Sequence, residues 1–192
     1  QNTPRLAELS AKFALQLDGG EALAMLEHPH DLWLSAIELD GQWVMAFGLA
    51  GCPAHNPALA AVPLAQAHEL VMQVLLLFLD LARPEQTRMR HLLEEVAVER
   101  FVEQLQQRLS VPLIALALGP RGVAPQVLHI GTFAQRQQGR VYIGAVPGLG
   151  RLDAPMLRGL AQLADEFGDA TLRFTPWQSV LLPEIKTRDA PA

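Results

Sequence analysis

Residues 171–185, TLRFTPWQSVLLPEI, decide the fold of the C-terminal part of this chain. Side chains of a β-strand alternate between the two faces of a sheet, so Leu172 and Phe174 are predicted to face the core. Arg173 and Thr175 then lie on the opposite face. A guanidinium on an open sheet face pairs well with carboxylates, so this face is predicted to bind a planar anionic molecule.

A strand and a helix are predicted directly before this stretch. Residues 139–147, GRVYIGAVP, have the composition of a strand, and the loop GLGRLDAP leads from them into a helix. Asp153 is a suitable N-cap, Pro155 suits the first helical turn, and Gly168 ends the helix. The order strand, helix, strand, strand predicts most of a ferredoxin-like α+β half-domain.

The N-terminal part is predicted to be a second α+β unit. KFALQLD, residues 12–18, predicts a strand that ends at a Gly-Gly turn. Two further strand-like runs flank Asp40-Gly41, a dipeptide typical of a tight hairpin. Helices are expected over about residues 64–81 and 89–109, with Pro84 ending the first.

The composition bounds the class of protein. The 192 residues are half hydrophobic with a net charge of −5, which indicates a real core and disfavours a nucleic-acid partner. The longest apolar run, residues 70–82, contains Gln73 and Asp80 and is shorter than the roughly 20 residues of a membrane span. It therefore predicts a buried helix and no membrane partner. A cytoplasmic location is the default expectation, because the N-terminus does not resemble a signal peptide and the chain has one cysteine. A single cysteine, Cys52, cannot form an internal disulfide or hold an iron–sulfur cluster by itself.

Three C-terminal stretches resemble the ferredoxin-like half-domain of nitrite and sulfite reductases. They are Gly139-Arg-Val-Tyr-Ile-Gly, Gly150-Arg-Leu-Asp-Ala-Pro-Met-Leu and Thr171-Leu-Arg-Phe-Thr-Pro-Trp-Gln. In that family a Gly-Arg loop precedes a helix, and a strand ends in an Arg-x-Thr-x-x-Gln-like motif. The Thr-Pro-Trp variant is most similar to the precorrin-3B synthases, which belong to the same family.

The N-terminal part agrees with this resemblance. Leu9-Ser-Ala-Lys-Phe resembles the lysine-bearing strand of the family, and Asp18-Gly-Gly and His30-Asp-Leu-Trp-Leu-Ser-Ala follow at about the expected distance. The resemblance implies that residues 1–110 are the end of a first nitrite/sulfite reductase-type α+β domain. Residues 111–126, rich in proline and glycine, would be a linker, and residues 127–192 the ferredoxin-like half-domain.

The resemblance also implies a larger protein. We expect the chain to be an internal fragment whose partners are a tetrapyrrole substrate and the missing halves of the same protein. A 4Fe-4S cluster is expected in the full-length protein, with its ligands outside this chain, so that the chain alone would bind no cofactor and be inactive.

Five residues are candidates for binding the tetrapyrrole. They are Lys12, Arg151, Arg173, Thr175 and Gln178. Arginine and lysine suit its carboxylates, Arg151 also precedes a helix start, and the amide of Gln178 can donate a hydrogen bond. No catalytic residue is assigned.

Simpler interpretations remain open for several of these positions. Arg173 is equally consistent with a solvated strand arginine, and Trp177, which could stack on a macrocycle, with packing. Precorrin-3B synthases more often carry arginine where this chain has Gln178. Ala14 stands where the reductases carry a second lysine, and loss of that cation argues against reduction of a small oxyanion.

A metal site is not expected in this chain. His28, His30 and Asp31 lie close together in sequence, but Pro29 interrupts them and only His55 is a further candidate nearby. Cys52 has no evident base partner that would make it a nucleophile.

Three hypotheses for the function follow. The first is a fragment of a precorrin-3B synthase-like iron–sulfur monooxygenase, which hydroxylates precorrin-3A with dioxygen and forms a lactone during cobalamin biosynthesis. The second is a non-catalytic ferredoxin-like module that binds a small anion or a protein. The third is a fragment of a siroheme-dependent nitrite or sulfite reductase.

Overall fold

The computed structural model describes residues 3–21, 23–122 and 128–190. The chain divides into two compact units, Gln1–Val123 (unit 1) and Ala124–Ala192 (unit 2). Each unit combines one four-stranded sheet with helices. The α+β class predicted from the sequence is therefore confirmed.

Unit 1 is built on a sheet of four strands in the order in which they follow along the chain. The strands are β1 (Leu15–Asp18), β2 (His30–Leu39), β3 (Gln42–Gly51) and β4 (Ala60–Pro63). β1 is parallel to β2, and the remaining pairs are antiparallel. The hairpin predicted at Asp40-Gly41 joins β2 to β3, and both turn residues have the positive φ that such a tight turn requires.

Three helices cover one face of this sheet. They are α1 (Ala67–Leu81), α2 (Met89–Leu93) and α3 (Val98–Gln106). Sheet residues such as Leu32 and Phe47 form the main core together with Leu70, Leu92 and Phe101 of the helices. The apolar residues that recur at helical spacing in the sequence thus face this core.

The single helix predicted over residues 89–109 is wrong, because the chain leaves the helix between Leu93 and Val98. Ala97, with φ −56° and ψ 139°, is not helical and is the N-cap of a new helix. Leu92 and Phe101 are both buried in the main core. Nine residues at about 100° each would place them on opposite sides of one continuous helix, so the break lets both reach the core.

Residues Leu64–Leu81 pass the length and composition test for a membrane span. The core helix of a soluble protein passes the same test. This segment is a 3-10 turn, Leu64–Gln66, followed by α1. The buried side of α1 belongs to the main core of unit 1.

The segment that follows α3 runs beside the edge strand β4, and its Ile114 side chain packs on the sheet face opposite the three helices. Ile114 and Ala61 of β4 exchange backbone hydrogen bonds of 2.8 and 2.9 Å, and Ile114 packs on Val44 and Ala46. The linker predicted over residues 111–126 overlaps this segment. Its residues 123–126 lie outside the described residues, and its boundaries stay a prediction.

Unit 2 has a sheet with the strand order β5, β6, β8, β7. The strands are β5 (Gly131–Ala134), β6 (Arg140–Ala145), β7 (Arg173–Phe174) and β8 (Val180–Lys186), and all neighbours are antiparallel. The helix α4 (Ala154–Phe167) packs on β8. Its predicted N-cap is correct, because the Asp153 carboxylate accepts the Met156 N–H at 2.8 Å.

The core of unit 2 is small. Val141, Leu182 and Ile185 form it, with Leu160 and Leu172 packed against them. Leu172 thus faces the core as predicted, but the core position predicted for Phe174 is wrong, because its side chain is 65% exposed. The strand that holds Phe174 is only two residues long and forms the edge of the sheet.

Candidate functional site

Arg173 lies on the sheet face that points away from α4. It is in register with Leu181, whereas the next residue of β8, Leu182, belongs to the core under the helix. Leu181 is in turn in register with Gly144, and Gly144 with Gly131. The exposed guanidinium therefore lies at one edge of this sheet face. Gly144 of β6 and Gly131 of β5 lie in the same row across the sheet.

Asp169 is an acidic neighbour of Arg173. Thr171 donates its hydroxyl to the Asp169 carboxylate at 2.6 Å, and this bond is the main cause that holds the pKa of Asp169 below its ordinary value. The positive charge of Arg173 lowers the same pKa further. Arg173 is thus partly balanced by Asp169.

Thr175 has a structural partner of its own. Its hydroxyl lies 2.5 Å from the hydroxyl of Ser179, and its backbone N–H donates to the Ser179 carbonyl at 3.0 Å. These bonds close the turn between β7 and β8. Thr175 is also partly buried, so its hydroxyl is less accessible to a ligand than the exposed Arg173 guanidinium.

Gln178 and the Gly-Arg loop are brought together by the fold. Gln178 has a positive φ of 61°, and its side chain lies so close to Gly150 that a Cβ there would collide with it. Gly150 is followed by the exposed Arg151, whose N–H closes the loop by donating to Gly148 at 3.2 Å. The predicted residues Arg151 and Gln178 therefore belong to one local surface.

The aromatic residue of the same turn is packed. The ring of Trp177 is stacked on the imidazole of His129, with centroids 5.0 Å apart and an angle of 11° between the planes. The residue before His129, Leu128, accepts a hydrogen bond of 2.7 Å from the Tyr142 hydroxyl. Burial raises the pKa of Tyr142. One face of the indole is thus already covered, and the sequence contains no pattern that predicts His129 as its partner.

Lys12 belongs to unit 1 and lies outside the strand predicted for it. β1 begins at Leu15, and Lys12 occupies an exposed turn before it. The turn is held by Ser10, which accepts the N–H groups of Lys12 (at Oγ, 3.2 Å) and Phe13 (at the carbonyl, 2.9 Å). Among the described residues the Lys12 ammonium has no ion-pair partner.

Two buried carboxylates of unit 1, Asp18 and Asp31, were not among the predicted binding residues, and Asp31 was considered only as a metal ligand. Asp18 accepts from Ser35 at 2.9 Å and from Arg121, and Asp31 accepts from Arg88 at 2.7 Å. The available signal was the place of each acid at one end of an apolar strand. Their arginine partners are too far away in sequence to be assigned from it.

The described residues contain no ligand set for a metal cluster. They bring together no group of three His, Cys, Asp or Glu side chains. Cys52 is buried, and its backbone N–H donates to Asn56 at 3.0 Å. Between the neighbouring His28 and His30, the His30 ring nitrogen lies 2.7 Å from the His28 carbonyl.

Comparison with known families gives two matches that together span most of the chain. Residues 1–113 match the nitrite and sulphite reductase 4Fe-4S domain, and residues 133–192 match the nitrite/sulfite reductase ferredoxin-like half domain. These matches agree with the α+β architecture of the two units.

Individual relatives are reductases that use ferredoxin. The chloroplastic ferredoxin–nitrite reductase of Zea mays is 28% identical over 96% of this chain and 35% of its own length. Sulfite reductase [ferredoxin] 2 of Mycolicibacterium paratuberculosis is 31% identical over 68% of this chain and 25% of its own. The chain thus spans about a third or less of these relatives.

A solved structure shows the same fold. The NirA protein of Mycobacterium tuberculosis superimposes with a TM-score of 0.67 at 24% identity, over 83% of this chain and 31% of that one.

Proposed function

This chain belongs to the nitrite and sulfite reductase family, and we propose that it forms part of the tetrapyrrole-binding surface of a siroheme-dependent reductase. One observation carries the proposal. A reductase 4Fe-4S-type domain and a ferredoxin-like half-domain follow each other in this chain. The match to ferredoxin–nitrite reductases runs through both of them.

The precorrin-3B synthase hypothesis receives no support from these relatives. The Thr-Pro-Trp variant that suggested it lies in the turn between β7 and β8, where Trp177 is packed against His129. A packed indole needs no macrocycle to explain its presence. We therefore propose reduction in place of dioxygen-dependent hydroxylation.

The residues of this chain suit the periphery of siroheme and not the cluster. Siroheme carries several carboxylates, and Arg151 and Arg173 of unit 2 are exposed cations that would hold them. One buried cysteine cannot provide the thiolates of a 4Fe-4S cluster, so its ligands belong to other parts of the protein. When bound, siroheme supplies the iron centre at which an oxyanion is reduced.

Within this scheme each residue has a definite task. Arg173 and Arg151 orient the macrocycle through charge-assisted hydrogen bonds, and the amide of Gln178 adds a neutral donor beside Arg151. Lys12 presents an ammonium that neutralises an anionic substrate and can give it a proton. Since Ala14 replaces the second lysine, we expect the enzyme to bind its oxyanion more weakly than reductases that carry both.

The test is to produce the complete protein encoded around this segment without oxygen. We expect a siroheme absorption spectrum and reduction of nitrite or sulfite with reduced ferredoxin as the electron donor. A protein that contains neither tetrapyrrole nor cluster would instead indicate the non-catalytic binding module. A protein with a cluster but no extractable siroheme would contradict the reductase proposal.

A further inference from the structure

Asp31 is one of the most fully hydrogen-bonded side chains in unit 1. It is 2% exposed and lies at the start of β2. Its Oδ2 accepts the backbone N–H of Ala14 at 2.8 Å, and its Oδ1 accepts the backbone N–H of Met89 at 2.8 Å. The Arg88 Nε lies 2.7 Å from Oδ2 and 3.0 Å from Oδ1.

This arrangement requires a carboxylate. Both oxygens face N–H donors, so an asparagine would turn its NH₂ group toward one of them and leave that donor unpaired. A buried carboxylate is costly unless its charge is balanced, and here Arg88 balances it. The site has been built around the negative charge of Asp31.

The bond to Ala14 is one half of a two-way connection. The Ala14 carbonyl accepts the N–H of Asp31 at 2.9 Å and that of Leu32 at 3.3 Å. Just upstream, the Phe13 ring packs on Phe78 of α1 with centroids 4.8 Å apart. The backbone on the C-terminal side of Lys12 is therefore fixed both to β2 and to α1.

We propose that Asp31 is the positioning residue for Lys12. By clamping Ala14 from β2 and the N-terminus of α2, it holds the preceding turn so that the Lys12 ammonium is presented to an anionic substrate. This inference rests on the function proposed above. It adds Asp31, with Arg88 as its counter-charge, to the residues that determine how tightly the oxyanion binds.

Unit 1 contains a matched control for this role. Asp18 is also buried, and it also accepts from an arginine, a backbone N–H and another donor: Arg121, Gly20 at 2.9 Å and Ser35. None of its bonds reaches the turn that carries Lys12. A purely structural loss of a buried carboxylate should therefore have the same consequences at either position.

The experiment compares Lys12→Ala, Asp31→Asn and Asp18→Asn in the complete siroheme-loaded reductase. We expect Lys12→Ala and Asp31→Asn to raise KM for the oxyanion roughly tenfold or more. The absorption spectrum of bound siroheme should be unchanged, and KM should stay near wild type in Asp18→Asn. Hydrogen exchange of the peptide that contains Lys12 and Ala14 should accelerate in Asp31→Asn and not in Asp18→Asn.

Several outcomes would overturn the inference. If Asp31→Asn and Asp18→Asn have equal KM values, Asp31 has only a structural role. If KM is at the same time raised in Lys12→Ala, the proposed function is still supported. No effect of Lys12→Ala would remove both the site assignment and the positioning role. If Asp31→Asn does not fold, Asp31→Glu keeps the charge and shifts it by one methylene. A raised KM with normal siroheme content supports positioning there, and a wild-type KM with unchanged exchange contradicts it.

Discussion

The side chain of Gln178 lies directly against Gly150 and leaves no room for a Cβ at that position. Both residues have positive φ angles, of 61° and 66°, and each belongs to a different loop of unit 2. This contact joins the loop that carries Arg151 to the turn that follows Arg173. The proposed tetrapyrrole surface therefore depends on Gly150, although glycine has no side chain that could contact the ligand.

We expect Gly150→Ala to destabilise unit 2 and to displace Gln178. The left-handed backbone conformation alone costs an alanine roughly 1–2 kcal/mol, and the collision with Gln178 adds to it. Unfolding of unit 2 is followed by the fluorescence of Trp177 in a Trp33→Phe, Trp43→Phe background. Those two are the only other tryptophans of the chain.

The control for this substitution is Gly148→Ala in the same loop. A Cβ at Gly148 meets no atom within 4 Å, and its φ is not in the left-handed region. We expect the free energy of unfolding to change by less than about 0.5 kcal/mol, as at most surface sites. Equal effects of the two substitutions would mean that the contact between Gly150 and Gln178 does not form.

Replacing Arg173 by alanine should weaken siroheme binding in the complete protein. A hydrogen bond to a charged group contributes about 1.5–3 kcal/mol, which corresponds to a loss of at least about tenfold in affinity. The measurement is the fraction of protein that retains siroheme through gel filtration. Arg158→Ala is the control, since Arg158 is also exposed but lies on α4. Unchanged retention in Arg173→Ala would exclude Arg173 from the site.

Local elements could be predicted from the sequence where local chemistry determines them. The hairpin follows from Asp40-Gly41, and the start of α4 from Asp153 and Pro155. The break in the helix before Val98 could not be predicted in this way, because residues 89–98 contain no glycine or proline. It results from the need to bury both ends of that segment in one core, which only the tertiary fold specifies.

The candidate site shows the same division. Arg173 was predicted on the face away from the core, and the register of β7 places it there. The contact of Gln178 with Gly150 and the bond from Ala14 to Asp31 could not be predicted. They join residues that are distant in sequence, and no local pattern encodes such pairs.

The stability of unit 1 should depend on the ionisation of Asp80. Its carboxylate accepts from Arg5 and from Arg108, each at 2.7 Å. These hydrogen bonds, that from Arg5 first, hold the pKa of Asp80 below its ordinary value of 3.8. A depressed pKa in the folded state means that the stabilisation is complete above pH 3.8 and is lost as the pH falls through the lower, folded value.

We therefore expect Asp80→Asn to reduce the free energy of unfolding at pH 7 by no more than about 1 kcal/mol, because the ion pairs are partly exposed. The difference from wild type should shrink below pH 4. Urea unfolding at pH 7 and pH 3, followed by the tryptophans of unit 1, measures it. If wild type and Asp80→Asn differ in free energy of unfolding by the same amount at pH 7 and pH 3, the charged form of Asp80 does not stabilise unit 1.

Removing Arg121 should destabilise unit 1 by leaving the buried charge of Asp18 without a cation. Breaking a buried ion pair costs about 3–5 kcal/mol in general. We expect the low end of that range for Arg121→Met, because the Arg121 side chain is 32% exposed and Ser35 still donates to Asp18. In the double variant Asp18→Asn, Arg121→Met the charge is removed as well, so part of the stability should return.

Arg100→Met, at an exposed position of α3, is the control and should be nearly neutral. Chemical unfolding followed by Trp33 and Trp43 in a Trp177→Phe background compares the four proteins. If the double variant is less stable than Arg121→Met, the cost comes from lost packing of the segment before residue 122 and not from the unpaired carboxylate.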